Sequence, residues 1–290
     1  MNQATFIRSV AVCVAALSWG QTARAQLFDF FGGGNSATTE VQLKPEEVRS
    51  YLEKTADDYS IEVDGVQATR IDEPLMQWQN TTRLSEEGLF YAWTIDRRPV
   101  ALICVFTFEL EAIRAKHELL CLQPGGLTAK IDGQVVWTPD ESLAKFTEVP
   151  GADPPAASPA RRKLQWTQIA RRFTGSHVHP EGEVTTLRRM SRPIYAYASP
   201  KHKVIDGVIL PMVISTDPEI FLMLEARQTD AGPKWFYAAV PSHYHELRLS
   251  LDDQVVWTKP LRMEFQNARQ GQSVAKSSAY SSFSPTRELQ

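Results

Sequence analysis

The sequence predicts a strand-rich α+β protein in which a helix followed by an antiparallel β meander occurs twice. Two stretches have apolar residues at helical spacing, and each opens with a proline. Runs of β-branched and aromatic residues, separated by turn signals such as Asp-Gly, follow each stretch. The segment Asp-Gly-Gln-Val-Val-Trp-Thr at 132–138 recurs as Asp-Asp-Gln-Val-Val-Trp-Thr at 252–258, 120 residues further on. Together these observations indicate an internal duplication.

Further anchors keep this repeat in register. At an offset of 119 residues the matched pairs are Pro74 and Pro193, Gly88 and Gly207, and Pro99 and Pro218. One predicted helix precedes each copy. Two such copies form either two sheet domains or one composite sheet with helices packed on it.

Residues 1–25 have the pattern of a cleavable signal peptide. Arg8 is followed by an apolar stretch at 9–20, which is too short to span a bilayer. Ala23-Arg24-Ala25 supplies the small residues of a cleavage site before Gln26, and no lipid-anchor cysteine lies there. We therefore expect an exported protein, either periplasmic or secreted.

Cleavage would make the mature chain more acidic. The removed segment carries Arg8 and Arg24 and no acidic residue, so the net charge of −3 becomes −5. A mildly acidic chain with scattered charges gives no reason to expect binding to nucleic acid. No later apolar run has the length of a transmembrane helix. The expected partner is an unidentified extracytoplasmic ligand or protein.

The rest of the chain divides into five predicted segments. They are a flexible linker at 26–43, a first α+β repeat at 44–149, a Pro/Ala-rich linker at 150–158, a second α+β repeat at 159–262 and a disordered tail at 263–290. Pro45 marks the start of the first helix. Ser158, as N-cap, and Pro159 mark the start of the second.

Two cysteines remain after cleavage, Cys104 and Cys121. An oxidising compartment favours a disulfide between them. A hairpin centred at Ala112-Ile113 would place them opposite each other on adjacent strands, within bonding reach. Two separate buried thiols are the alternative, because both runs are strongly apolar.

Histidine provides the sharpest chemical signal. His177 and His179 form one pair, and His243 and His245 form another, each at the spacing that places two side chains on one face of a strand. Two imidazoles on one face could be presented to one transition metal, although the leading interpretation predicts no cofactor. The candidates to complete such a site are Glu181, Glu246 and His202. Solvated histidines at strand ends are the expected interpretation, and a shared metal site is the alternative to it.

Other residues with chemical potential are interpreted more simply. Trp78, Trp93 and Trp235 are candidates to line a groove for sugar or peptide. The pair His117-Glu118 is interpreted as structural, because neighbouring strand residues point to opposite faces. Asp217-Pro218-Glu219 is interpreted as a turn between two strands.

Five short motifs carry a resemblance to a known group of proteins. They are Arg98-Pro99-Val100-Ala101, His117-Glu118, Arg192-Pro193-Ile194-Tyr195, Thr216-Asp217-Pro218-Glu219 and Gly232-Pro233-Lys234-Trp235. Over roughly residues 60–260 they resemble segments of uncharacterised exported proteins of planctomycete bacteria. Arg97 departs from that pattern, in which glycine is expected, and this leaves the type of its turn open. The resemblance implies bacterial export and an α+β fold, and it implies no activity and no catalytic residue.

The sequence lacks the common catalytic signatures. It contains no Gly-x-Ser-x-Gly, His-Glu-x-x-His, Cys-x-x-Cys or phosphate-binding loop. We therefore expect an exported, non-enzymatic binding or envelope-associated module. The alternatives are a metal-dependent hydrolase or metal-binding protein that uses the two histidine pairs, and a carbohydrate-binding protein.

Overall fold

The computed structural model describes residues 44–80, 85–108, 115–262 and 276–284, which belong to one folding unit. The predicted signal peptide (1–25) and linker (26–43) lie outside these residues. Among the described residues, no helix has the length and apolarity needed to cross a membrane.

The first half of the fold runs from α1 to β9. Its elements are α1 (Pro45–Asp57), β1 (Tyr59–Val63), β2 (Val66–Gln67), β3 (Thr69–Arg70), β4 (Met76–Asn80), β5 (Ser85–Ile95), β6 (Arg98–Phe108), β7 (Ala115–Cys121), β8 (Leu127–Ile131) and β9 (Gln134–Trp137). A short strand, β10 (Thr147–Glu148), follows it.

The second half runs from α2 to β19. Its elements are α2 (Pro159–Arg171), β11 (Phe173–Val178), β12 (Val184–Thr186), β13 (Arg188–Arg189), β14 (Tyr195–Ser199), a 3-10 helix (Pro200–His202), β15 (Val204–Ile214), β16 (Asp217–Thr229), β17 (Gly232–Pro241), β18 (Glu246–Leu251) and β19 (Gln254–Lys259). The strand β20 (Tyr280–Phe283) follows it.

Both helices begin where the sequence predicts. Pro45 opens α1, and the backbone N–H of Lys44 donates to the Glu47 carboxylate at 2.9 Å. Ser158 caps α2, since its hydroxyl accepts the backbone N–H of Arg161 at 3.3 Å. These contacts satisfy donors that the first turn of a helix leaves without partners.

The strands form four antiparallel sheets, and the strand order is the same in the two halves. The four-stranded sheets have the orders β2-β1-β8-β9 and β12-β11-β18-β19. The six-stranded sheets contain β3-β5-β6-β7 and β13-β15-β16-β17, with β4 and β14 pairing with β5 and β15. The prediction of a strand-rich, antiparallel α+β fold is confirmed.

Each six-stranded sheet is completed by a strand that follows the other half. β10 comes after the first half and pairs with β17, whereas β20 comes after the second half and pairs with β7. The predicted disordered tail is therefore wrong for Tyr280–Phe283. Pairing with β7 satisfies backbone groups that an open sheet edge would expose, and Tyr280 is fully buried. Residues 263–275 and 285–290 of that tail lie outside the described residues.

The two six-stranded sheets pack face to face around a shared apolar core. Phe90 of one sheet and Phe221 of the other meet edge-to-face, with ring centroids 5.0 Å apart. The outer face of each sheet packs against its own helix and four-stranded sheet. The core between the halves therefore lies at the centre of the molecule, with one helix on either side.

An aromatic ring covers a glycine at the same place in both sheets. Trp78 lies opposite Gly88, and Tyr197 lies opposite Gly207. A Cβ atom on Gly88 would lie 2.3 Å from Trp78 Cε2, and one on Gly207 would lie 2.5 Å from Tyr197 Cζ. The two glycines are needed because the rings occupy the space of a side chain.

The hairpin tips of each sheet contact the other half. The hydroxyl of Tyr195 donates to the carbonyl of Arg97 at 3.0 Å, and the Thr216 hydroxyl donates to the carbonyl of Gln79 at 2.9 Å. Asp96 and Arg97 both have positive φ, 47° and 66°, as in a type I′ turn. Arg97 thus adopts the conformation that glycine would take there.

The predicted disulfide between Cys104 and Cys121 is wrong. Cys104 pairs with Glu118, and Cys121 pairs with Ala101, so the register differs by three residues from the one that opposes the cysteines. An odd shift moves a side chain to the other face of a sheet. Cys104 accordingly lies in the core between the halves, whereas Cys121 lies under α1, and both are free thiols.

The predicted tryptophan groove is also wrong. Trp78, Trp93 and Trp235 are each at most 5% exposed. They lie in three different cores, and none of them offers a ring face to a ligand. Large aromatic rings stabilise a core most when they are fully buried, and that is their role here.

We expect Gly88→Ala to lower the free energy of unfolding by about 1–3 kcal/mol, because the added methyl displaces the Trp78 indole. In a Trp78→Ala background the same change should cost much less, since the space is then free. Urea unfolding of the wild type, the two single variants and the double variant gives the cost of Gly88→Ala in each background. An equal cost in both backgrounds would show that the indole does not select the glycine.

Candidate metal centre

The two histidine pairs of the sequence meet in one cluster. The ring of His177 lies with its centroid 4.3 Å from that of His179, 5.2 Å from His243 and 4.9 Å from His245. The Nε2 atom of His177 and the Nδ1 atom of His245 are 2.9 Å apart and share a hydrogen bond. Imidazoles this close together can reach one metal ion, because zinc–nitrogen bonds are about 2 Å long.

Strand register explains how the pairs converge. His177 pairs with Leu247, and Val178 pairs with Glu246, across the antiparallel strands β11 and β18. Continuing this register past the strand ends places His179 opposite His245. The side chain of His177 is fully buried, whereas those of His179 and His245 are partly exposed. The cluster therefore lies at one end of the sheet, with its deepest ligand beneath the surface.

Hydrogen bonds to backbone groups hold the segment 242–245, which lies between β17 and β18. The backbone N–H of His245 donates to His243 Nδ1 at 3.1 Å. The ammonium of Lys259 donates to the carbonyls of His243 and His245, at 2.6 and 3.0 Å. Three contacts thus fix a turn that carries two of the four imidazoles.

Glu219 is the functional residue that sequence reasoning missed. The expected turn at Asp217-Pro218-Glu219 is instead the start of β16, and the hairpin turn is at Ser215-Thr216. Met212 pairs with Ile220 and Val213 pairs with Pro218, so Glu219 is the extra residue of a β-bulge. Bulges redirect side chains and are common beside functional sites.

The bulge directs the Glu219 carboxylate at the histidines. Its Oε2 atom lies 3.9 Å from His177 Nε2 and 3.6 Å from His243 Nδ1, and the side chain is fully buried. The carbonyl of Glu219 also accepts the backbone N–H of Ser242 at 2.8 Å. The carboxylate and the 242–245 segment are therefore held against each other.

Two overlapping sets of three potential ligands result. One comprises His177, His179 and His245, and the other comprises His177, Glu219 and His243. Within each set the ligand atoms lie within 4.8 Å of one another. Ligands 2.0–2.1 Å from a tetrahedral ion are about 3.3 Å apart, so the atoms of either set would have to approach one another by at most about 1.5 Å to bind one ion.

The other proposed ligands lie outside these sets. Glu246 pairs with Arg248 at 2.6 Å, and Glu181 is exposed in the turn before β12. His202 contacts the Ser199 hydroxyl at 2.8 Å, beside Glu225. The sequence pattern thus identifies the four imidazoles, and the carboxylate comes from an unexpected strand.

A buried acidic pair lies beside the centre, between the two halves. Burial, together with the nearby charge of Asp217, raises the pKa of Glu118 to about 8. The hydroxyl of Tyr280, from the exchanged strand β20, hydrogen-bonds Glu118 and opposes this rise, as does the charge of Lys259. Glu118 therefore carries a proton at neutral pH.

The neighbouring His117 points away from this group, as predicted for adjacent strand residues. Its Nδ1 atom lies 2.6 Å from the Tyr59 hydroxyl, in the core under α1. Burial lowers the pKa of His117 to about 3, so the imidazole is neutral. The pair with Tyr59 is a buried structural hydrogen bond.

The first half holds valine at the places equivalent to His177 and Glu219. Val63 pairs with Leu127 as His177 pairs with Leu247. Val100 is the bulge residue of β6, as Glu219 is of β16. The same backbone is thus used for packing in one half and for a polar cluster in the other.

No family model, curated protein or solved structure matches the chain. The resemblance to exported planctomycete proteins stays a prediction. A function for the chain has therefore to be inferred from the geometry of the candidate metal centre.

Replacing Glu118 should change how stability depends on pH. The pKa of this group rises from 4.5 in the unfolded chain to about 8 in the fold. The folded state then keeps a proton that the unfolded state releases, so stability is lost as the pH rises from 4.5 towards 8. The loss is at most about 1.4 kcal/mol per pH unit.

We expect Glu118→Gln to lack this loss, because the amide stays neutral. The free energy of unfolding of Glu118→Gln minus that of the wild type, both measured in chelator-treated buffer, should increase steadily between pH 5 and pH 8. Parallel curves for the two proteins would contradict the assignment.

Proposed function

We propose that this protein binds one divalent transition-metal ion within the cluster of His177, His179, His243, His245 and Glu219, through one of its two overlapping sets of three ligands. The observation that carries the proposal is the convergence of four imidazoles and one buried carboxylate from three separate parts of the second half. Imidazole-rich sites suit Zn²⁺, Cu²⁺, Ni²⁺ and Fe²⁺. The function is therefore that of a metal-binding module.

His177 is the central ligand in this proposal, because it belongs to both sets of three donors. A single ion occupies its Nε2 atom, so the two sets exclude each other and the expected stoichiometry is one. The imidazoles of His179 and His245 complete the first set from the partly exposed side. Glu219 and His243 offer the second set from the interior.

We further propose that the two halves arose by duplication and that only the second copy binds metal. The shared strand orders support a common origin, as do the ring-over-glycine contacts and the matching bulges. Val63 and Val100 at the equivalent positions have no atoms that coordinate a metal. The first copy then serves as the support on which the site is built.

We also propose that the protein acts outside the cytoplasm, as the signal-like residues 1–25 indicate. Cys104 and Cys121 are buried on opposite faces of a sheet, so an oxidising compartment does not link them. Intact mass of the protein recovered from the periplasm or medium should correspond to a chain that begins at Gln26. A full-length chain confined to the cytoplasm would contradict export.

Calorimetry should find one Zn²⁺ per chain, with a Kd of about 1 µM or tighter. His177→Ala removes the ligand common to both sets and should weaken binding at least 100-fold. Loss of a contact that only supports a ligand typically costs about 10- to 100-fold, and loss of the ligand itself should cost more. His179→Ala, at a partly exposed position, should weaken binding less and is the safer variant for folding.

His202→Ala is the matched control, since this partly buried histidine belongs to neither set. Its zinc affinity should equal that of the wild type. Circular dichroism confirms that each variant is folded. Absence of zinc, copper, nickel and iron binding by the folded wild type would overturn the proposed function.

A further inference from the structure

We propose that Lys259 is the positioning residue that holds His243 and His245 in their metal-binding arrangement. The inference rests on the proposed metal function and extends it to a residue that contacts no metal. Lys259 is the last residue of β19, and only 8% of it is exposed. A lysine so buried carries a desolvation cost that its contacts must offset.

Those contacts are directed at the ligand turn. The ammonium donates to the carbonyl of His243 at 2.6 Å and to that of His245 at 3.0 Å. Binding both carbonyls sets the distance between the two peptide groups. The backbone N–H of His245 can then donate to His243 Nδ1, at 3.1 Å. One cation thus orients two imidazoles that belong to different ligand sets.

Register places Lys259 beneath the cluster. Lys259 pairs with Leu247, and Leu247 pairs with His177, so the three side chains lie in one row on the same face of the sheet. The positive charge of Lys259 also acts to lower the pKa of Glu118.

The first half supports the assignment by contrast. Trp137 and Trp257 occupy equivalent places in the pairings of β8–β9 and β18–β19, so Pro139 is the counterpart of Lys259. Proline has no side-chain donor. The first half, which lacks the histidine cluster, therefore also lacks the cation that holds the turn at 242–245.

The test compares Zn²⁺ binding and the Co²⁺ absorption spectrum of the wild type and Lys259→Met, which keeps the length of the side chain and loses its donors. We expect zinc affinity to fall about 10- to 100-fold, the range usual for contacts that support a ligand. The cobalt spectrum should change because His243 and His245 are no longer held. Lys234→Met is the control, since that lysine pairs with Glu148 at the protein surface. Its affinity should be unchanged.

A double-mutant cycle separates positioning from general destabilisation. In a His245→Ala background, Lys259→Met should cost much less affinity than it does in the wild type, because part of what Lys259 positions is gone. In a His179→Ala background it should cost as much as in the wild type. Equal costs in both backgrounds would show that Lys259 does not act through His245.

The outcomes for the inference and for the function differ. If the wild type binds no metal, the proposed function falls and the inference falls with it. If the wild type binds zinc and Lys259→Met binds it within twofold, the inference is overturned and the function stands. If Lys259→Met does not fold, Lys259→Gln, whose shorter amide cannot reach both carbonyls, takes its place with the same expected loss.

Discussion

The packing of the two six-stranded sheets is the contact on which the rest of the structure depends. Each buried apolar side chain in this core contributes about 1.5–3 kcal/mol, and Phe90 and Phe221 lie within it. Because β10 and β20 are exchanged between the halves, neither sheet is complete without the other. The same packing brings Asp217, at the start of β16, next to Glu118 of the first half. The position of the metal centre beside this interface follows from the core.

The centre itself is costly to fold. Glu219 and His177 are fully buried, and Lys259 is nearly so. Removing charged groups from water costs several kcal/mol each unless they are paired, and apolar residues often stabilise such positions better. Val63 and Val100 show that the same backbone accepts apolar residues there. A cost of this kind is consistent with the proposed metal site, in which a bound cation would pair with the buried polar groups.

Local signals in the sequence predict the features that depend on neighbouring residues. Pro45 and Ser158 mark the helix starts because capping involves only the first turn. The spacing of His177 and His179 places two imidazoles on one face because a strand has a period of two. The pairing of the strands was not predictable in this way. A shift of three residues separates Cys104 from Cys121, and the Ser-rich composition around Tyr280 hides a strand whose partner is about 160 residues away.

The missed carboxylate of Glu219 shows what a comparison of two similar halves offers beyond the residues that match. Positions where the two halves agree, such as Gly88 and Gly207, are required by the fold, since the covering ring leaves no room for a side chain. The opposite charges around Pro99 and Pro218 suggest a shared turn without a shared function. The next residue differs as well, since Val100 is the bulge residue of the first half and Glu219 is that of the second. In a chain of two similar halves, chemistry that only one half performs must lie where the halves disagree.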